Sequence, residues 1–355
     1  MTQTTRPDCQ VTIRDVAKLA LVSIGTVSRV LNNVPNVEPE LRLRVLRATQ
    51  ELGYVHRQRG NPATHAGNGE KDKKTISRIA FCCRAELSPI APSIQNHYFS
   101  LVLQGVEAEC RHQDLHILYS IIEDEAAELS RAQDKLRKSG ADALLLVNFI
   151  NEELVSGLLE LGLPAILIDH FFPDLQLDVV MNQNYPSAMR AMRYLIESGH
   201  RRIGFLDGPP HYTIQRRRDG YRAALENAGI PFDPELVIPG NLYFDGGGHA
   251  ADEIIRRKLD CTAFFCANDT SAIGLIQGLL RNGVRVPEDI SVVGFDDIEA
   301  AKLISPALTT VRANPDQLGR MAVIRLLERC KDPTLPVCQT LLHSTLVERN
   351  SVRKI

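Results

Sequence analysis

Several apolar, strand-like runs end in side chains that could bind a polyol. PAILI is followed by Asp169, TAFFCA by Asn268 and Asp269, ISVVGF by Asp296 and Asp297, and RRIGFL by Asp207. The segment after Asp207-Gly208 then brings Arg216, Arg217 and Arg218 ahead of Gly220. Carboxylates accept from hydroxyls, a guanidinium donates to them, and a carboxamide does both. Brought together, such groups would clamp a polyhydroxylated ligand, with Phe99, Phe171, Tyr243 or Phe244 as an aromatic platform. Asp and Asn after a strand are also ordinary helix caps and turn formers. Asp269, directly before the helical run SAIGLIQGLL, reads as a cap. That leaves Asp169, Asn268 and Asp296, each first past its strand, as the ligand candidates.

Other chemistries find little support. The chain contains no GxSxG, HExxH or P-loop, and nothing sets a nucleophile beside a base, so an enzyme is not expected. FDGGGHAADE lacks the GxGxxG spacing and reads as the start of a helix. His112 and His116 have the i, i+4 spacing of metal ligands but lie where a helix gives way to a strand, so no metal is expected. No cofactor is expected either. The eight cysteines form no CxxC pair and are expected to be reduced and mostly buried.

The elements that must carry these groups follow from periodicity. From Ile79 onward apolar strands alternate with amphipathic helices, the pattern of parallel, doubly wound α/β sheets. Ligands bind such sheets beyond the carboxyl ends of the strands, where the polar residues above stand. About 270 residues are too many for one comfortable sheet, so two similar lobes are expected.

The amino-terminal part differs in kind. Thr12-Ile13-Arg14-Asp15 fits a capping box before a helix through Leu19. Ser23 can cap a second helix reaching about Asn32, and Glu38-Pro39 opens a third, carrying Leu41, Val45, Leu46 and Leu52 before Gly53. Three short helices with a tight turn at Leu21-Val22 describe a helix-turn-helix. Residues 1–78 hold 13 Lys and Arg against 7 Asp and Glu, a net +6, while the remainder holds 28 against 36, a net −8. A basic end on an acidic body suggests a polyanionic partner for the small part alone. Between them RQRGNPATHAGNGEKDKKTISR is almost free of apolar residues and reads as a linker.

VTIRDVAKLALVSIGTVSRVLNN closely resembles the amino-terminal signature of the LacI/GalR family of bacterial transcription regulators. SGHRRIGFLDGPP, the Arg217-to-Tyr221 segment, FFCANDTSAIG and VPEDISVVGFDDIEAAKLISPALTTVR agree with it in order. The resemblance covers nearly the whole chain outside 57–78. It implies a helix-turn-helix headpiece over 1–56, a linker or degenerate hinge over 57–78, and a two-lobed, periplasmic-binding-protein-like core over 79–355. Lobe 1 would take about 79–180 and 311–340, and lobe 2 about 181–310 and 341–355. It implies a homodimer on double-stranded operator DNA, with a sugar-like effector between the lobes. By position, Ile24 and Gly25 would read bases, Arg29 a base edge or phosphate, and Thr12, Ser23, Thr26, Ser28 and Asn32 mostly the DNA backbone. Asp169, Arg217, Asn268 and Asp296 match the usual effector-binding positions.

The chain departs from the family in three places. Leu21 stands where the family commonly has Gly in the turn; a left-handed backbone there would cost on the order of 1 kcal/mol. Gly60 and Pro62 fall within the expected hinge helix, where Pro alone costs roughly 3 kcal/mol, and Ala63 replaces a Leu that wedges the minor groove. Little central DNA kink is therefore expected. Finally, ERNSVRKI has no leucine heptads, which favours a dimer over a tail-mediated tetramer. The function expected is a ligand-controlled transcriptional regulator, a repressor. The alternatives are a cytoplasmic sugar-binding protein with impaired DNA binding and a purine-responsive regulator of the same fold. With no apolar run of membrane-spanning length and no secretory signal, the expected location is cytoplasmic, at the nucleoid when DNA-bound.

Overall fold

The computed structural model describes residues 12–31, 37–52, 76–85 and 97–355. The chain divides into two compact units, Met1–Lys71 and Asp72–Ile355. Asn32, the linker residues 57–75 and the hinge positions Gly60, Pro62 and Ala63 lie outside the described residues.

In the first unit, α1 (Ile13–Ala20), α2 (Ile24–Leu31) and α3 (Pro39–Glu51) close on a small core of Val16, Ala17, Ala20, Val27, Val30, Val45 and Ala48. The Thr12 N–H donates to Asp15 Oδ2 at 2.9 Å, fastening the start of α1. Ser23 Oγ accepts the Thr26 N–H at 3.1 Å, as a helix cap does. Leu46, one of the leucines carried by α3, is 47% exposed. The inward stripe passes through Val45 and Ala48, three apart, and Leu46 falls off it.

Leu21 adopts φ 53° and ψ 46°, the left-handed conformation, and is 81% exposed. Its N–H bonds Lys18 O while the Val22 N–H bonds Ala17 O, ending α1. Arg44 of α3 donates to the carbonyls of Ala20 and Leu21 at 2.6 and 3.1 Å and holds this turn down. The Cβ strain has no compensating burial. Leu21→Gly should therefore stabilise the headpiece by up to about 1 kcal/mol, less the greater unfolded-state freedom of Gly. A headpiece melting transition that does not rise would contradict that account.

The second unit contains two six-stranded sheets among the described residues. The first comprises β1 (Arg78–Arg84), β2 (His116–Ile122), β3 (Ala143–Val147), β4 (Ala165–Ile168), β5 (Asp178–Asn182) and β11 (Gln339–Leu342), in the order β11-β5-β4-β3-β1-β2. The second comprises β6 (Ile203–Leu206), β7 (Val237–Ile238), β8 (Ala263–Cys266), β9 (Ser291–Asp296), β10 (Thr309–Arg312) and β12 (Thr345–Val347), in the order β12-β10-β9-β8-β6-β7. All pairings are parallel except β10 with β12. Alternation along β1 shows how both faces fill: Ile79, Phe81 and Cys83 enter one core cluster, Ala80 and Cys82 another. Helices α4 (His97–His112) and α12 (Pro315–Lys331) cover one face of the first sheet, α5 (Leu129–Ser139) and α6 (Glu152–Leu159) the other. On the second sheet α7 (Asn184–Glu197) and α8 (Tyr212–Asn227) oppose α9 (Phe244–Arg257) and α10 (Asp269–Arg281).

The glycine run of FDGGGHAADE lies within α9 and serves helix packing. A Cβ on Gly247 would sit 2.1 Å from Ser271 O, and one on Gly274 of α10 would sit 2.0 Å from Phe244 O. The two helices touch backbone to backbone there, which only glycine permits.

The chain passes between the sheets three times: from β5 to α7, from β10 to α12, and from β11 to β12. The expected lobe limits near 181, 311 and 341 stand beside passages after Asn182, Arg312 and Leu342, so Val311 and Arg312 lie with the second sheet. Asp178, 2% exposed, anchors the segment between α12 and β11. Its Oδ1 accepts from Arg325 Nη2 at 2.9 Å and from Cys338 N at 2.9 Å, and its Oδ2 from Arg329 Nε at 2.8 Å. Both arginines also bond Pro336 O, so α12 grips the segment leading into β11.

Candidate functional site

A cavity of about 750 Å³ opens at the carboxyl ends of both sets of strands. Asp169, Arg217, Asn268, Asp296, Phe99 and Tyr243 all line it. Phe171 does not; it packs against Tyr212, with ring centroids 5.4 Å apart. Phe171 is three residues past β4, and Asp169, the first residue past that strand, already takes the inward position. Phe244 is largely exposed.

Arg217 organises the deep end. It is 4% exposed and donates through Nε to Asn184 Oδ1 at 2.9 Å and through Nη1 to Ala267 O at 2.6 Å. Its guanidinium carbon lies 3.7 Å from the Phe295 ring centroid, a cation–π arrangement. Asp296 Oδ1 stands 3.7 Å from Nη1. Asp169 accepts from Tyr98 OH at 3.4 Å, and that hydroxyl accepts from Asn182 Nδ2 at 2.8 Å. Burial pushes the Asp169 carboxyl up to about 6 and that of Asp296 up to about 7. Arg217 pulls both back, but one guanidinium cannot offset two desolvated carboxylates. Both aspartates also hold positive φ, 64° and 123°. Strain and desolvation thus coincide at the point where hydroxyl donors would be welcome.

Two expectations about side-chain roles are corrected. Asn268 caps α10: its Oδ1 accepts from Ser271 N and Ser271 Oγ at 3.1 and 2.6 Å, and its Nδ2 donates to Leu242 O at 2.9 Å. One amide hydrogen remains for a ligand, so it cannot both donate and accept freely. Asp269, expected as the cap, is the first helical residue and is fully buried. Its Oδ2 accepts from Ile298 N at 3.0 Å and its Oδ1 from Thr310 Oγ1 at 2.5 Å, tying the start of α10 to the loop after β9 and to β10.

The cavity is also lined by Tyr98, Asn148, Arg84, Asp124, Glu125 and His211, which sequence reasoning missed. Asn148 and Arg84 stand at the ends of β3 and β1, so the strand-end rule applied to every strand would have found them. Tyr98 and His211 sit at helix starts and carried no such signal.

In the headpiece, Ser23, Ile24, Gly25 and Arg29 are exposed at or on α2, while Thr26 and Ser28 are half-buried. The Ser23 and Thr26 hydroxyl oxygens are 2.9 Å apart. Thr12, at the start of α1, donates its hydroxyl to Asp15 Oδ2 at 2.6 Å. A phosphate contact from Thr12 would have to compete with that bond.

Residues 12–56 match the family described as bacterial regulatory proteins, lacI family, and residues 192–352 a periplasmic binding protein-like domain. A ribose operon repressor of Haemophilus influenzae is 31% identical over 343 residues, covering 96% of this chain and 98% of that one. The transcriptional repressor PurR of Vibrio atlanticus is 33% identical over 350 residues, covering 97% and 99%. The solved cellobiose complex of the transcriptional regulator CelR superposes with a TM-score of 0.71 at 29% identity, over 98% of this chain and all of that one.

Proposed function

Because the chain belongs to the LacI family of bacterial regulatory proteins, we propose that its effector is a sugar or sugar derivative held in the 750 Å³ cavity. The protein is a DNA-binding transcriptional repressor with a ligand-binding core, and its relatives are repressors rather than enzymes. Like other repressors of the family it binds operator DNA and a small-molecule effector and acts as a dimer. The observation that carries the effector reading is the deep end: two buried carboxylates converge beside a buried guanidinium. Asp169 and Asp296 would accept from ligand hydroxyls, Arg217 would donate, and Phe99 and Tyr243 would face the ring. The ribose and cellobiose in the names of its relatives agree with this choice.

A purine-responsive reading is the second, favoured by the PurR relative and by Tyr98, Phe99 and Tyr243 in the cavity wall. A thermal-shift screen of pentoses, hexoses, sugar phosphates and nucleobases separates the two, since a ligand specific to the native state raises the melting temperature. Stabilisation by nucleobases alone would replace the sugar assignment. The cytoplasm is the proposed location; among the described residues no helix is long and apolar enough to cross a membrane.

For DNA, Ile24 would touch a thymine methyl, Gly25 would allow close approach, and Arg29 would carry the polar contact. Thr12, Ser23, Thr26 and Ser28 would meet the backbone. Binding-site selection with the full-length protein should show Ile24→Ala relaxing preference at one or two base pairs. The salt slope of binding should stay the same, because phosphate contacts set it. Unchanged base preference would remove Ile24 from recognition. A wild-type protein with no salt-dependent binding to its own promoter would favour a sugar-binding protein that has lost DNA binding.

A further inference from the structure

Two histidines meet across the cleft of the second unit. His170 follows Asp169 just beyond β4, in the lobe of the first sheet, and His211 caps the start of α8, in the lobe of the second. Their ring centroids are 4.7 Å apart with the planes at 70°. The contact extends sideways: Phe171 packs on Tyr212, and Phe172 lies 4.5 Å from His170. Residues 170–172 of one lobe thus form an aromatic contact with 211–212 of the other.

The cap favours one tautomer of His211. An unprotonated Nδ1 can accept both the Thr213 N–H at 3.3 Å and the Thr213 hydroxyl at 2.9 Å. A ring nitrogen that accepts an N–H carries no proton, so in the neutral ring the proton sits on Nε2. That Nε2 is buried and has no partner among the described residues, and the same is true of His170 Nδ1. A buried donor or acceptor left unmatched costs about 1–3 kcal/mol. Here one ring offers a spare donor and the ring against it a spare nitrogen.

We propose that His170 and His211 form a latch between the lobes of the ligand-free protein, in which a small rotation of the touching rings lets His211 Nε2–H donate to His170 Nδ1. His211 lines the cavity and His170 does not. A ligand pressing on His211 therefore reaches the lobe angle through this bond, a clause that rests on the cavity being the effector site. His170 is a positioning residue. The charged groups around the pair are Arg84 from β1, Arg217 from α8 and Asp169 beside His170. Burial first, then Arg84, pushes His170 down to about 4; burial, His170, Arg84 and Arg217 push His211 well below its usual range. Both rings are neutral in the cell, as a donor–acceptor match between them requires.

The test is nitrogen-15 NMR of the histidines in the ligand-free full-length protein. The expected result is a His211 fixed as the Nε2–H tautomer, without titration from pH 8 to pH 5, and with a slowly exchanging Nε2 proton. His170→Phe keeps a ring but removes the acceptor. It should speed exchange of that proton at least tenfold and raise amide exchange across 169–172 and 211–213. A His211 with its proton on Nδ1, titration near pH 6.5, or exchange unchanged in His170→Phe would each overturn the latch. If His170→Phe does not fold, the wild-type tautomer and exchange rate still decide, and His211→Asn, which keeps a cap acceptor, replaces it. Because no ligand is used, failure here leaves the effector reading to be judged by substitutions at Arg217.

Discussion

Arg217→Ala should abolish the effector response and leave operator binding intact. The side chain reaches Asn184, Ala267 O, Asp296 and the face of Phe295, all within the second unit. Truncating one partner of a buried, hydrogen-bonded charge pair typically costs about 2–5 kcal/mol, so effector affinity should fall roughly 30-fold or more. Asp169 and Asp296 also lose the cation that lowers them, so both protonate more readily and stop acting as anionic acceptors. The pH dependence has a definite sign. Their folded values, about 6 and about 7, lie above the ordinary 3.8. Their contribution to stability is full below pH 4 and is lost as pH rises through 6 to 7. Arg217→Ala should steepen that loss relative to wild type. Arg217→Lys, a point charge without the planar fork, should recover only part of the response. Operator binding that still responds to effector in Arg217→Ala would displace Arg217 from the site.

Asp178→Ala should destabilise the second unit by about 3 kcal/mol. It leaves two arginines facing each other with no carboxylate, and breaking a buried pair from one side costs about 3–5 kcal/mol. The lower figure applies because the Arg325 and Arg329 side chains keep 13% and 14% exposure. Burial pushes the Asp178 carboxyl up, but hydrogen bonds from Arg329, Cys338 N and Arg325 outweigh it and hold it below its ordinary value. A depressed carboxylate stabilises above its unfolded value and loses that effect as pH falls through the folded one. The gap between wild type and Asp178→Ala in urea unfolding should therefore be full at pH 7 and narrow below about pH 4. A gap under about 1 kcal/mol at pH 7 would mean the arginines find other partners.

The sequence showed the architecture where periodicity and strand ends coincide. Asp169 and Asp296 were found because each is the first polar residue after a run that only a buried strand explains. Short or half-exposed strands gave no such signal: β7 has two residues, and β11 alternates exposed and half-buried positions. Phe171 was misplaced because aromatic type says nothing about direction, and three residues past a strand the chain has already turned. Asn268 holds the cap expected of Asp269 because either residue type can cap; Asn268 also lines the cavity, while Asp269 is buried and does not. Leu21 worked the other way. Its residue type conflicted with its turn, and the left-handed backbone is there.

The pairing of β5 with β11 sets a timetable for synthesis. Cys338 N–H meets an Asp178 carboxylate made 160 residues earlier. At about 5–20 residues per second, a ribosome takes roughly 8–30 s to cover that distance. Throughout it the nascent first lobe carries an open β5 edge, a template for wrong pairing. The headpiece core, from Val16 to Ala48, is finished long before. A chain truncated before β11 would keep its reading helix but never complete its sensor.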